Sequence, residues 1–434
     1  MINDDSLRAL ESAQWTERFI KPQYESYCFA RLPDLVRRVF AGDRDAAVCQ
    51  RLLGPSTIPG SLADHDYDTV VLFFVDAFGW RFVEQYQDRY PFLRRIVREG
   101  IVSKLTAQFP STTAAHVTTI HSGLPVGQHG VYEWFYYEPL VDRIISPLFF
   151  SFAGDHQRNT LATAGLPPEA FFPRHTLYQD LQALGVRSVV FQHQDYTPSP
   201  YSDTVCRGAR SLPYRTLPEA LVMLTELLLA GQGQGPAYYF LYFDDIDSAC
   251  HRHGPDSPQA EAEFDAFLTA MEHTFHQALD GKLTRTLFLM TADHGQTSID
   301  PATTIYLNQQ LPRLPSYIRT NRAGQLLAPV GSPRDMFLHI KEDVLDEAQA
   351  YLQDALAGRC DVYRVADLIA QGLFGPEPPS ATFLGRVGNL ALLPYEHQSV
   401  WWYEADRFDQ HYHGHHGGLS RHELETVLLA QPYV

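Results

Sequence analysis

The sequence predicts an α/β fold: a doubly wound, mostly parallel sheet with helices on both faces and a small α+β cap insertion. Three observations carry this. The runs Thr69–Val75, Ala237–Phe243 and Arg285–Thr291 are rich in β-branched and aromatic residues, as strands buried on both faces of a parallel sheet are. Helix-length segments separate the strand-like runs, so strands and helices alternate. Each run also stops at acids: Asp76 after the first, Asp244, Asp245 and Asp247 after the second, Asp293 after the third. The carboxyl ends of strands are where open α/β sheets bind ligands.

Four segments follow from the chain order. Residues 1–66 read as a helical accessory segment without chemistry; Leu32–Phe40 has helical apolar spacing, Ala41-Gly42 can end it, and 55–66 reads as a loop. Residues 67–305 form the core. After Asp76 come helices over Arg81–Tyr90 and Phe92–Glu99, then a short strand over Ile101–Phe109. Pro110 disfavours its continuation, and the following Ser/Thr cluster offers N-caps for a helix over Thr113–His121 with Gly123 at its C-terminal end. Hydroxyls there meet free N–H groups and the positive end of the helix dipole, which is an anion site. Glu133–Arg174, rich in aromatics and proline, reads as an ordered insertion or a lid. Thr176–Leu184, Leu217–Ala230 and Glu261–Leu279 read as helices, and Arg187–Gln192 as a further strand. Residues 306–399 change texture and read as an α+β cap insertion, with strands at Asp335–Ile340 and Asn389–Leu393 and helices at Glu342–Leu356 and Val365–Gln371. Residues 400–434 return to the core with a histidine-rich stretch and a helix from Arg421.

Composition narrows the partners. The 434 residues carry a formal charge of −17, which argues against a nucleic-acid polymer. A small anionic substrate remains compatible, because bound metal ions supply local positive charge. The five cysteines are scattered and form no C-x-x-C pair, so neither a disulfide framework nor a structural zinc knuckle is expected. No basic and apolar leader follows Met1, and no apolar run approaches about 18 residues. The expectation is a soluble, cytoplasmic protein with no membrane partner.

The Asp/His groups have metal-ligand character. Asp247 and His251 are four residues apart, hence on one face of a helical turn. Asp293 and His294 are adjacent at a strand end, Asp76 adds a carboxylate, and the stretch from His413 to His416 adds imidazoles. Carboxylate and imidazole suit zinc, manganese or iron. The donors outnumber what one tetrahedral ion takes, so two ions about 3.5–4 Å apart are expected. Two ions beside a helix-terminal hydroxyl suggest phosphoryl transfer, with the hydroxyl as nucleophile. Blander roles stand beside these: Asp76, Thr112 and Thr113 as helix caps, Asp247 and His251 as a surface pair, Asp244 and Asp245 as supporting or capping groups. Cys250 turns away from the Asp247 face, and the aromatics from Trp134 to Tyr137 suit packing or a substrate pocket.

The ordered set of motifs resembles the alkaline-phosphatase superfamily, and within it the type I phosphodiesterase/nucleotide pyrophosphatase branch. The matching blocks are Phe74-Val-Asp76-Ala-Phe-Gly79; Phe109-Pro-Ser-Thr-Thr113 with Ser122-Gly-Leu-Pro125 and His129-Gly130; Asp247-x-x-x-His251 with His253-Gly-Pro255; Thr291-Ala-Asp293-His294-Gly295; and His416-Gly-Gly-Leu-Ser420. The resemblance implies an alkaline-phosphatase-like sheet and two divalent ions, zinc first, with manganese or iron as alternatives. One ion would be held by Asp76, Asp293, His294 and the nucleophile oxygen, the other by Asp247, His251 and His416. The nucleophile would be Thr113, with Thr112 as its rival. The implied activity is hydrolysis of a phosphodiester or pyrophosphate of a small molecule through a covalent phosphoryl-threonine. A phosphomonoesterase, a phosphonate hydrolase and a non-hydrolytic metal-binding recognition module are the alternatives. The segment needed to make a sulfatase's formylglycine is missing. The chain departs from the family at Val131-Tyr-Glu133-Trp134, where no asparagine stands, and at His116, three residues after the nucleophile, where asparagine is frequent. His116, His253 and Trp134 are the substrate-binding candidates.

Overall fold

A computed structural model describes residues 1–54 and 61–434. Its centre is a seven-stranded sheet: β1 (Thr69–Val75), β2 (Ile101–Thr106), β3 (Arg187–His193), β4 (Arg210–Tyr214), β5 (Ala237–Phe243), β6 (Thr286–Thr291) and β7 (Glu425–Tyr433). The spatial order is β2-β7-β6-β1-β5-β3-β4. β1 lies between β5 and β6 and runs parallel to both, in the middle of the sheet. This is why its sequence is apolar on both faces: Val70, Leu72 and Phe74 enter one core, Val71, Phe73 and Val75 the other. β5 divides the same way, with Tyr238, Phe240 and Tyr242 opposite Tyr239, Leu241 and Phe243. The expected parallel sheet is present, with β7 as its one antiparallel member, paired to β2 and β6.

β7 corrects the expected C-terminal helix. The helix from Arg421 is a single turn, Arg421–Leu424, and the chain then enters the sheet. Val427 and Leu429 point to one core and Leu428 and Ala430 to the other, so the slot between β2 and β6 sets the conformation. The N-terminal segment is likewise not peripheral. Ile2 bridges Val102, Cys28 bridges Thr106, and Phe29 packs edge-on against Phe74 and His116 at 5.5 and 4.8 Å. The helix Leu32–Ala41 ends at Gly42, whose φ of 68° suits glycine. Of the expected loop over 55–66, residues 55–60 lie outside the described residues, and Leu62–Asp64 is a 3₁₀ turn.

Two smaller three-stranded sheets lie outside the central one. Tyr136–Glu138, Arg143–Ser146 and Ser151–Phe152 form a small antiparallel sheet. In the cap, Met336–Leu338, Leu390–Pro394 and Cys360–Arg364 form a second one. The strand Cys360–Arg364 and the helix Ala381–Arg386 were not anticipated from periodicity. Buried arginines tie these pieces down. Arg386 donates to Glu138 Oε2 at 2.8 Å and to the carbonyls of Gly130 and Phe171. Arg334 makes a two-pronged pair with Glu423, at 2.9 and 2.7 Å. Among the described residues no helix is long and apolar enough to cross a membrane.

Candidate metal centre

The strand ends converge. Asp76 directly follows β1, and its N–H extends the ladder to Phe243 O at 2.8 Å. Helix α1 (Thr113–Ser122) starts beneath it, with Thr112 extended at the N-cap position. Thr113 Oγ1 lies 3.2 Å from Asp76 Oδ2 and 3.2 Å from His294 Nε2. Thr112 turns its carbonyl to His116, which donates from Nδ1 at 2.7 Å. Of the two threonines, Thr113 is the one whose hydroxyl joins the acidic cluster. His294 Nε2 is also 3.4 Å from Asp76 Oδ1 and 3.2 Å from Asp293 Oδ2.

Helix α2 (Asp245–His253) supplies the second group. His251 Nε2 lies 3.3 Å and His416 Nε2 3.8 Å from Asp247 carboxylate oxygens. The rings of His294 and His416 stack at 3.5 Å, joining the two groups. Asp76, Asp293 and His294 offer donor atoms within 4.8 Å of one another, and so do Asp247, His294 and His416. His294 therefore stands in both sets, and His251 reaches the second through Asp247.

The donor set fits metal ions. In all three histidines Nδ1 is committed to a backbone carbonyl: His251 to Gly414 at 2.8 Å, His294 to Gly295 at 3.1 Å, His416 to Ser111 at 2.9 Å. That fixes the tautomer and leaves each Nε2 lone pair facing the carboxylates. Asp76 Oδ1 and Asp293 Oδ2 are buried without a hydrogen-bond partner among the described residues. Two oxygen acceptors and a nitrogen lone pair thus face one point, which calls for positive charge. The electrostatics agree. Burial, with Asp293 and Asp247 nearby, holds the Asp76 carboxyl well above its ordinary value. Burial opposes charge on His294 too, yet Asp293 and Asp247 raise it above the ordinary imidazole value. The His294 charge and hydrogen bond in turn overcome burial at Asp293, bringing it down to about 2.

A cavity of about 640 Å³ opens over these groups. Its lining includes Asp76, Thr112, Thr113, Asp247, His251 and His416 on one side and Trp134, Phe135 and Phe149 on another. Trp134 thus stands where a substrate would lie. His116 does not: it is fully buried, accepts from Gln108 N–H at 2.8 Å, and packs on Phe29. His253 is exposed and outside the lining. The expected substrate contacts at His116 and His253 are corrected accordingly. Asp244 accepts from Tyr196 Oη, and burial pushes it up to about 6; it supports the site's edge. Asp245 is exposed and Cys250 buried. His415 lines the cavity, whereas His411 and His413 are exposed.

Sequence reasoning missed Tyr242 and Gln296. Tyr242 Oη donates to Asp76 Oδ2 at 2.6 Å, and Gln296 Nε2 donates to Asp247 Oδ1. The signal for Tyr242 lay in strand alternation: β5 aligns it with Phe74, on the face of β1 that leads to the site. Glu133 and Asp335 were missed as well. Both are fully buried and interact with one another; burial pushes Glu133 up to about 7 and, with Glu133, holds Asp335 well above its ordinary value.

Ectonucleotide pyrophosphatase/phosphodiesterase family member 3 of mouse (Mus musculus) is 24% identical over 306 residues, 68% of this chain. The rat (Rattus norvegicus) protein is 24% identical over 298 residues. The chain spans about a third of the length of these relatives, 32% in each case. Among solved structures, an inactive variant of murine ectonucleotide pyrophosphatase/phosphodiesterase 5 in complex with AMP superposes with a TM-score of 0.60 at 19% identity, covering 84% of this chain and 87% of that one. Phosphonoacetate hydrolase from Sinorhizobium meliloti, in complex with phosphonoacetate, gives a TM-score of 0.57 at 18% identity over 85% and 92% of the two chains. The type I phosphodiesterase / nucleotide pyrophosphatase family model matches residues 70–419. With that match spanning most of its length, the chain belongs to the type I phosphodiesterase / nucleotide pyrophosphatase family.

Proposed function

We propose that this protein is a two-metal hydrolase that cleaves a phosphodiester or pyrophosphate bond of a small molecule through a phosphoryl-threonine. The observation that carries the reading is the Thr113 hydroxyl at the head of a buried helix, 3.2 Å from both Asp76 and His294. Asp76, Asp293, His294 and Thr113 are assigned to one divalent ion, and Asp247, His251 and His416 to the other. Three imidazoles with carboxylates suit zinc, with manganese or iron as alternatives. When bound, such ions neutralise phosphate charge and favour the ionised hydroxyl.

The chain's own residues do the rest. Asp76 Oδ2 accepts the Thr113 hydroxyl hydrogen and aims Oγ1. The N-terminal N–H groups of α1 face the phosphoryl oxygens. Thr113 Oγ1 attacks phosphorus, the ester or anhydride oxygen leaves, and water then cleaves the phosphoryl-threonine. Trp134, Phe135 and Phe149 line one side of the cavity.

A phosphonate or monoester substrate is the second reading, favoured by the lack of an asparagine at 131–134 and the phosphonoacetate hydrolase neighbour. A panel of bis-p-nitrophenyl phosphate, p-nitrophenyl phosphate, a nucleoside-monophosphate ester and phosphonoacetate, assayed with zinc-loaded protein, separates them. Highest kcat/KM on a diester supports the first reading. Turnover of phosphonoacetate or the monoester alone supports the second. No turnover with two ions bound favours a non-hydrolytic recognition module.

A further inference from the structure

Three guanidinium groups line the cavity, and they differ in what holds them. Arg407 pairs with Glu404 and donates to Ala153 O. Arg252 turns its Nε back to Ser248 O on its own helix. Arg158 lies over the ring of Phe149 at 4.4 Å and 5.5 Å from the centre of Tyr196, with Nη1 fixed on Asp195 O at 2.7 Å. Its Nε–Nη2 edge makes no hydrogen bond, and it forms no ion pair, among the described residues. Arg158 is exposed and, like Arg252, has no carboxylate partner among the described residues, although the chain has 51 acidic against 34 basic residues; what sets it apart is the pair of aromatic rings it lies against.

Its surroundings lead to the metal centre. Phe149 meets Trp134 edge-on at 5.1 Å. Tyr196 meets Tyr242 at 6.1 Å, and Tyr242 bonds Asp76. Trp134, Phe149, Arg158 and Tyr196 therefore form one continuous wall beside the reacting groups. A guanidinium stacked on rings loses little further freedom on binding, and its free edge matches an oxyanion with two parallel hydrogen bonds.

We propose that the Nε–Nη2 edge of Arg158 is a second oxyanion subsite, and that the substrate carries, beyond the phosphorus attacked, a planar group bearing another oxyanion along the Trp134–Phe149–Tyr196 wall. This rests on the hydrolase reading for what is attacked, but not for the subsite itself. The phosphate sits at the ions, the planar group lies against the aromatic wall, and the distal oxyanion meets Arg158.

The test compares ligands that differ only in the distal charge. Calorimetry on metal-loaded Thr113→Ala protein, which keeps ligands intact, measures 4-carboxyphenyl phosphate against 4-carbamoylphenyl phosphate. A charge-assisted pair predicts about tenfold tighter binding of the carboxylate. Adding Arg158→Gln should bring that ratio to about one, and Arg158→Lys should keep part of it. Equal affinities in the parent, or a preference that survives Arg158→Gln, overturns the subsite. Turnover by the wild-type protein of the matching p-nitrophenyl diesters reads the hydrolase assignment separately. Preference in binding without turnover retains the subsite and removes the hydrolase; turnover without preference does the reverse.

Discussion

Tyr242→Phe removes one oxygen and leaves the rest of the wall in place. The ring keeps its contacts with Phe74 at 5.4 Å and with Tyr196 at 6.1 Å. What is lost is the 2.6 Å hydrogen bond to Asp76 Oδ2, the oxygen that also receives the Thr113 hydroxyl. A hydrogen bond to a charged acceptor contributes about 1.5–3 kcal/mol. If Asp76 is a ligand, that energy appears in metal affinity, as a loss of about 10- to 100-fold, the range found when a ligand's supporting partner is removed. Burial and Asp293 already hold the Asp76 carboxyl above its ordinary value, and Tyr242 counters them. Without the hydroxyl, protons compete better with the metal, so the deficit should widen as pH falls. Competition with a zinc chelator at pH 8 and pH 6 reads both effects. Affinity within twofold of the parent at both pH values would refute the assignment of Asp76 and of Tyr242 as its support.

Two further outcomes follow from buried charges. Arg334→Met leaves Glu423 buried and without its arginine, and should cost about 3–5 kcal/mol in urea unfolding. Because Glu423 also accepts from Gly418 N–H at 3.0 Å, beside His416, metal affinity should fall with stability; a cost below about 1 kcal/mol would contradict this. Glu133 has its folded value raised from 4.5 to about 7 by burial, so its contribution is fully present below pH 4.5 and is lost as pH rises through about 7. Glu133→Gln should flatten that decline in the urea midpoint between pH 5 and pH 8, and an unchanged slope would contradict the buried acid pair.

Much of this architecture was legible because it is local. β1, β5 and β6 announce themselves as apolar runs that stop at acids, since a strand buried on both faces has no polar side to show. Gly42 and Gly123 mark helix ends because the chain there turns left-handed, at φ 68° and 76°. What stayed hidden depends on distant partners. Glu425–Tyr433 becomes a strand only because β2 and β6 leave a slot between them. His116 stands where the family often has a polar contact, but Phe29, 87 positions earlier by number, closes over it and makes it a core residue. Alternation along β5 gives the face of Tyr242 but not its partner Asp76, and Gln296 reaches Asp247 from the loop after β6, which no local pattern records. Counting from Pro110 and back from Gly123 both point to Thr113, with Thr112 as a rival one residue away; the helix start at Thr113 brings its hydroxyl to 3.2 Å from Asp76 and from His294.

The most direct test is capture of the phosphoryl group. Zinc-loaded protein is mixed with bis-p-nitrophenyl phosphate, quenched in acid within the first turnover, digested and mapped by mass spectrometry. The account predicts a p-nitrophenylphosphoryl ester on Thr113, formed as one p-nitrophenol leaves, absent from Thr113→Ala, which should release no p-nitrophenol, and retained in Thr112→Ala. Modification of Thr112, or steady turnover by Thr113→Ala, would contradict it.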